Sequence, residues 1–382
     1  MGDWAILSGT SWEGWKWGSR QEIALRLARR GERVLYVEPT LGPEYLLSNP
    51  DAHGARDLRQ EAQRLWICTP PRIPPGRWLL RSLNRWGQAR VAAGLRRVLA
   101  GIGFRDPVLW ASLAYQADLV GRVPHRGVIY HYTDPARGRA TGRRAALLEG
   151  MHRDLVRASG RVLVASRVLE EECERIAPGR ARRFPPGVDL DAFARAAPRP
   201  SGLSPPVLAV CGVLNDRIEW GWLDALLSGG VGSLLLLGTI ETRSARAWVR
   251  DRAGTGRVLA PGHIPHGEVA GWLAGAQAGL IPYRVDGSED ATFPMKLWEY
   301  LAAGLPVAAS PLPEVDTLRD ACAPWVHTGS GPEGFAQAVC AALAALRGEP
   351  PAILAGQDWE ARVDELLRIT ASDEWGQRVR TV

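Results

Sequence analysis

The chain has almost no lysine. Of its 47 basic residues only Lys16 and Lys296 are lysines, and the rest are arginines. A lysine kept against such a bias draws attention, because an ammonium and a planar guanidinium meet a phosphate differently; chance placement of two residues is the plain alternative. Cysteine is sparse as well. Cys68, Cys173, Cys211, Cys322 and Cys340 are scattered, odd in number and without metal-type spacing. They predict free thiols in a reducing, cytoplasmic compartment. No run of about 18 apolar residues occurs, so no transmembrane helix is expected. The opening MGDWAILSGTSWEGW lacks the basic-then-apolar order of a secretory signal. Short repeats and low-complexity tracts are absent too, and 46% hydrophobic with 23% charged residues excludes a disordered chain. A single core stops growing near roughly 250–300 residues, so a chain of 382 predicts two domains.

Acidic residues are missing from one stretch. Residues 62–105 hold nine arginines and no acid. Arg77, Arg81 and Arg85 recur at a four-residue spacing beside Trp78, Leu79, Leu83 and Trp86. That pattern is a basic amphipathic helix with aromatic anchors, suited to an anionic membrane surface or a polyanion. The alternative is a solvated helix whose Trp and Leu pack inward while the arginines snorkel out. The imbalance extends further: residues 1–200 hold 33 basic against 20 acidic residues, and residues 201–382 hold 14 against 21. No zinc-finger, helix-turn-helix or RNP-type pattern accompanies the charge, so nucleic acid is not an expected partner.

What is present reads as two α/β halves. Apolar runs at Trp4–Ser8 and Arg33–Val37 flank a helical period over Ser19–Arg30 that Gly31 closes. Further strands are predicted at Arg64–Cys68, Pro107–Ala111, Gly127–Tyr132 and Arg161–Ala165, with a helix at about 142–159. After the Pro-rich stretch 196–206 the pattern restarts. Strands are predicted at Val207–Cys211, Ser233–Leu237, Arg257–Leu259, Gly279–Pro282 and Pro306–Ala309, with helices at about 219–228, 267–277, 295–303 and 357–370. Two doubly wound parallel sheets follow, with ligands at the carboxyl ends of their strands. The expected domains are 1–196, joined by the C-terminal helix 357–382, and 197–356.

Chemistry concentrates in residues 279–307. Thr292, Phe293, Pro294 and Met295 lead into a helix whose first amides are free for an anion. Lys296 stands where an ammonium meets a diphosphate. Glu299, three residues on and on the same face, is placed to accept hydrogen bonds from ribose hydroxyls. The plain alternative is a surface pair of Lys296 with Glu299.

The string Pro294–Val307 (PMKLWEYLAAGLPV) resembles the donor segment of GT-B-fold retaining glycosyltransferases of the family-4 type, in their bacterial cell-surface polysaccharide subgroup. Gly187–Phe193, Val162–Leu169, Pro261–Tyr283 and Trp359 resemble further segments of that group in the right order. The resemblance implies two Rossmann-like domains facing each other across a cleft, with a C-terminal helix crossing back to the first. It implies a nucleotide-diphosphate sugar (UDP-, GDP- or dTDP-linked) as co-substrate, no bound cofactor and no metal. Glu299 would hold the ribose, and Lys296 with the amides of 292–295 the diphosphate. Gly212 and Asn215 would lie near the donor, with Arg217 as a second phosphate cation unless it pairs with Asp216 or Glu219. Gly18, between Trp17 and Ser19, would let the backbone approach the sugar. His131, at a strand end, would face the donor sugar unless it is a satisfied interior histidine, and Asp134 would orient or deprotonate an acceptor hydroxyl. The acidic cluster Asp286, Glu289 and Asp290 reads as a solvated loop.

Two positions depart from the family pattern. Ala291 stands where a glutamate eight residues before Glu299 is usual, and Val213 where an arginine is usual. The expected activity is sugar transfer, with retention, to a lipid-linked or cell-surface glycan at the inner membrane face. The alternatives are a soluble natural-product acceptor, a non-catalytic GT-B subunit that binds nucleotide or glycan, and a nucleotide-sugar epimerase on the same fold.

Overall fold

The structure, a computed structural model, describes residues 2–13, 17–40, 58–73, 76–138, 140–287, 289–345 and 348–371. It divides into two compact units. Unit 1 comprises Met1–Pro185 and the chain from Arg362 onward, and unit 2 comprises Pro186–Ala361. The Pro-rich stretch 196–206, after which the sequence pattern restarts, lies inside unit 2. There the amide of Arg199 donates to the carbonyl of Gly271 at 2.8 Å, against the His266–Ala274 helix. The division itself falls at Pro185.

Unit 1 is built on eight strands: β1 (Asp3–Leu7), β2 (Arg33–Val37), β3 (Leu58–Ala62), β4 (Leu65–Cys68), β5 (Val108–Ala111), β6 (Gly127–Tyr132), β7 (Arg161–Val164) and β8 (Ala181–Arg183). Their order is β3-β4-β2-β1-β5-β6-β7-β8, and all neighbours are parallel except the β3–β4 hairpin. Every residue of β5 and β6 is buried, as continuous apolar runs covered on both faces must be. The Ser19–Arg29 helix joins β1 to β2 and buries Ile23, Ala24 and Leu27. It ends in a Schellman motif: Glu32 N–H donates to the carbonyl of Leu27 and Gly31 N–H to that of Ala28. Gly31 holds the required left-handed backbone, at φ +90°.

The basic segment forms a helix over Arg81–Gly101. Its Leu and Trp side chains do not all turn inward: Leu79 is 76% exposed and Trp86 52%, with Leu80 and Leu83 also exposed. Acids absent from the stretch itself arrive from other elements. Arg81 pairs with Asp118 and Asp154, and Arg85 lies 3.6 Å from Asp118.

Unit 2 carries six parallel strands: β9 (Val207–Cys211), β10 (Ser233–Leu237), β11 (Val258–Gly262), β12 (Ala278–Ile281), β13 (Val307–Ala309) and β14 (Val326–Thr328), in the order β11-β10-β9-β12-β13-β14. The strand order reverses between β9 and β12, so the chain diverges there and opens a crevice at the carboxyl ends. Leu208, Leu234, Leu280 and Phe335 lie in its core. Two of the segments quoted above meet in this unit. A Cβ on Gly187 would lie 2.8 Å from the Trp359 ring, and Val188 bridges to Asp358.

Candidate active site

The switch point of unit 2 is held by close backbone packing. After β9 the chain turns through Gly212 at φ +132°, and after β10 through Gly238 at φ +139°. A Cβ on Gly238 would lie 1.8 Å from the Gly212 carbonyl oxygen, so no other residue fits. The Lys296–Ala302 helix is pressed onto β12, where a Cβ on Gly279 would enter the Tyr300 ring. The Tyr300 hydroxyl accepts from the amide of Cys211 at 2.7 Å and donates to the carbonyl of Leu280 at 3.3 Å. One buried tyrosine thus fixes the helix against the ends of β9 and β12.

That placement brings Lys296 over Gly212, with its Cε 3.8 Å from where a Gly212 Cβ would stand. Its Nζ donates to both oxygens of Glu299 at 2.7 Å. The pair, whose plain alternative was a surface contact, is sunk into the crevice, with Glu299 buried and Lys296 half-buried. Burial works against the ammonium, but the neighbouring Cys211 and Glu299 outweigh it, so the Lys296 pKa is raised above its ordinary value. The Cys211 thiol is pushed up to about 11 by burial, against the pull of Lys296, and stays protonated at neutral pH.

Arg217 reaches the same place from the loop after β9. Its guanidinium stands over the Tyr283 ring at 5.4 Å and lies 3.7 Å from Glu289. Arg217 and Lys296 both lower the Tyr283 pKa against the larger effect of burial, which raises it. Two cations therefore converge beyond the end of β12. Asn215 is buried and engaged: its amide donates to Glu241 at 2.9 Å and its carbonyl oxygen accepts from the amide of Arg217 at 3.1 Å. Asn215 shapes the loop that carries Arg217.

The lead-in to the helix differs from the sequence reading in three respects. Helical structure starts at Lys296 with Met295 as its cap, so Pro294 precedes the helix. The Thr292 amide is not free for an anion, because it donates to the carbonyl of Glu289 at 2.9 Å. Glu289 is not a solvated loop residue but is buried, and it accepts from the Thr292 hydroxyl. Phe293 packs on Trp298 with ring centroids 5.5 Å apart and anchors the turn. Among the described residues no group of three His, Cys, Asp or Glu side chains is placed to hold a metal ion.

In unit 1 the strand ends bear a second cluster. Gly18 caps the Ser19–Arg29 helix at φ −165°, an extended backbone that any residue adopts, with open space where a Cβ would be. Lys16 lies outside the described residues. His131, at the end of β6, is enclosed: its ring packs edge-on against Trp110 and Phe184, and its Nδ1 is buried without a hydrogen-bond partner. It is interior but not satisfied. Burial, reinforced by the charge of Arg20, pushes its pKa down to about 3, so the imidazole is neutral. Asp134 is exposed and accepts from the Thr133 hydroxyl at 3.0 Å. Arg20, unnoticed in the sequence, links the two. Its pKa is lowered by burial and held up by Tyr36 and Asp134.

With this geometry established, residues 228–345 match the family model for glycosyl transferases group 1. The fold is that of the GT-B glycosyltransferases. An α,α-trehalose-phosphate synthase (UDP-forming) from Burkholderia vietnamiensis is similar in structure, with a TM-score of 0.66 at 12% identity, covering 99% of both chains. Alr3699/HepE from Anabaena, solved with UDP and glucose, gives a TM-score of 0.68 at 13% identity over 97% of this chain and 100% of that one. WaaG, a glycosyltransferase of lipopolysaccharide biosynthesis, gives 0.60 at 14% identity over 100% and 98%. At such identities the likeness is one of fold. No curated protein matches the chain.

Sequence spacing anticipated the Lys296–Glu299 contact because the two share one helix. It missed Cys211, Tyr283, Tyr300 and Arg20, which reach their sites through the fold. One signal was available: an arginine directly after Gly18-Ser19, at the start of a helix that follows the first strand.

Proposed function

We propose that the chain transfers a sugar from a nucleotide-diphosphate sugar, held by unit 2, to a hydroxyl of an acceptor held by unit 1. The observation that supports this most is the Lys296–Glu299 pair at the carboxyl ends of β9 and β12. On this reading the ribose hydroxyls take over the Glu299 carboxylate. The freed Lys296 ammonium then turns to the diphosphate, beside Arg217. The hard step is cleavage of the anomeric C–O bond, which builds negative charge on the departing diphosphate. Two cations in a half-buried crevice stabilise that charge far more than they would in water. Gly212 admits the phosphates close to the backbone, and the turn through Thr292, Phe293, Pro294 and Met295 forms the wall of the donor site.

In unit 1, Asp134 orients the acceptor hydroxyl and accepts its proton directly or through the leaving phosphate. Enclosed and neutral, His131 supports the strand end beneath it. The stereochemical course is retention by same-face attack. The acceptor is a lipid-linked or cell-surface glycan, and the exposed Leu79, Leu80 and Trp86 with their flanking arginines rest on an anionic membrane. The enzyme would then work as a peripheral protein at the inner, cytoplasmic face. A non-catalytic nucleotide-binding role is favoured by Val213 and Ala291, which depart from the usual family residues. Turnover separates the two: release of UDP from UDP-glucose by the wild type and its loss in Lys296→Ala supports catalysis. Tight donor binding without release of nucleotide under any acceptor supports the binding role.

A further inference from the structure

Unit 1 contains a cavity of about 400 Å³ lined by Trp78, Leu113, Tyr115, Pro135, Arg137 and Arg144, with no carboxylate in its wall. Its aromatic side is preassembled. Trp78 and Tyr115 meet edge-on at 5.4 Å, and the Arg77 guanidinium lies against both rings, at 4.5 and 4.8 Å. Arg144 stands 5.0 Å from the Trp78 ring. Arg77 donates to the Thr40 hydroxyl at 2.8 Å, and among the described residues its buried Nε meets no acceptor. Arg20 also presses on Tyr115 electrostatically, and its own Nε is buried and unpartnered.

The cavity's other side is the start of the Gly142–Ala158 helix, which contributes Ala140, Arg144 and Leu148 to the lining. The Thr141 cap gives its first turn no side-chain hydrogen bond, and no acid stands there. Instead Arg143 and Arg144 occupy the turn, against the positive end of the helix dipole. That arrangement is unfavourable unless an anion joins it. Two arginines in the wall, Arg137 and Arg144, and a helix start without a side-chain cap beside an aromatic floor share one complement: an anion attached to a sugar ring.

We propose that this cavity binds the acceptor through a phosphate ester of a sugar, with the phosphate between Arg144 and the helix start and the sugar face on Trp78. The inference rests on the glycosyltransferase reading for calling the ligand an acceptor. The phosphate ester has two possible sources, a free sugar phosphate or the head of a lipid-linked sugar.

The test is calorimetric titration of the full chain with glucose 1-phosphate, with glucose, and with a farnesyl-diphosphate-linked N-acetylglucosamine, each followed by UDP in the same sample. At least one phosphorylated probe binds more tightly than glucose, and which one identifies the source. Arg144→Ala and Arg137→Ala, both at exposed positions, weaken that binding tenfold or more and leave UDP affinity unchanged. Trp78→Ala weakens both phosphorylated probes and unmodified glucose. The proposal is overturned if neither phosphorylated probe exceeds glucose, or if the arginine variants bind as the wild type does. The UDP arm reads the donor reading separately: UDP bound without phosphate-probe binding removes this inference alone.

Discussion

Lys296 and Glu299 neutralise each other across one turn of helix, with Nζ 2.7 Å from both carboxylate oxygens. An ammonium so committed reaches a diphosphate only if a ligand replaces it at Glu299. Lys296→Met should therefore cut turnover by about 10²–10³-fold, the cost of one well-aimed donor to a developing negative charge. It should also lower stability by about 1–3 kcal/mol, because Glu299 is left buried without its partner. The double variant Lys296→Met/Glu299→Leu should regain stability and remain inactive. Chemical denaturation and steady-state donor kinetics on the wild type and the two variants check this. A double variant no more stable than Lys296→Met would contradict it.

Gly238→Ala tests the backbone approach at the switch point. Its Cβ would stand 1.8 Å from the Gly212 carbonyl oxygen at a φ of +139°. The expected cost is about 3 kcal/mol or more, because β9 and β10 must separate. Gly18→Ala is the contrast: extended backbone and open space predict a thermal midpoint close to that of the wild type. Any loss of turnover in Gly18→Ala then reports ligand approach, not folding. Thermal melts of the two variants are expected to differ widely, and equal shifts would be evidence against the stated geometry.

Burial decides how much of this was legible. The strands Arg33–Val37, Gly127–Tyr132, Val207–Cys211 and Ser233–Leu237 begin and end with their apolar runs, since a strand covered on both faces needs apolar side chains throughout. β3 (LRQEA) escaped because it is an exposed edge with little to bury. The Arg243–Arg252 helix escaped because only Ala245 and Trp248 are buried in it. In the site, Lys296 and Glu299 were readable from their three-residue spacing. The Arg217–Glu289 contact, the Tyr300 hydroxyl on the Cys211 amide and the approach of Arg20 to His131 join residues far apart in sequence. No local pattern announces such contacts.

Acid sensitivity follows from His131. Its folded-state pKa is pushed down to about 3 from an ordinary 6.5, by burial first and by Arg20 second. Between those values the unfolded chain carries the extra proton. The stability that the neutral ring contributes is thus fully present above pH 6.5 and is lost as pH falls toward 3, at up to about 1.4 kcal/mol per pH unit. His152, pushed down to about 4 by burial, adds to the same trend. His131→Phe, which keeps the aromatic packing, should flatten the fall of the urea midpoint between pH 7 and pH 4. Parallel pH profiles for wild type and variant would remove His131 from the account.

The proposed membrane docking is tested by sedimentation with vesicles. Leu79 and Trp86 stand out of the surface beside Arg85 and Arg90. Leu79→Ser/Trp86→Ser should lower binding to vesicles of phosphatidylglycerol and phosphatidylcholine at least tenfold, with no change on neutral vesicles. Raised salt should weaken the wild type, since exposed charges are screened over about 10 Å at 0.1 M. Equal binding by wild type and variant would contradict the docking surface.

The most direct test of the central claim is calorimetric titration of UDP, GDP, dTDP, ADP and CMP into the wild type and into Glu299→Ala. One nucleoside diphosphate should bind the wild type, and at about 100 times its dissociation constant should stabilise it by roughly 2.7 kcal/mol. Glu299→Ala, folded but without the carboxylate for the ribose, should bind that nucleotide at least tenfold more weakly. Unchanged affinity in Glu299→Ala, or no binding of any nucleotide to the folded wild type, would contradict the donor site described here.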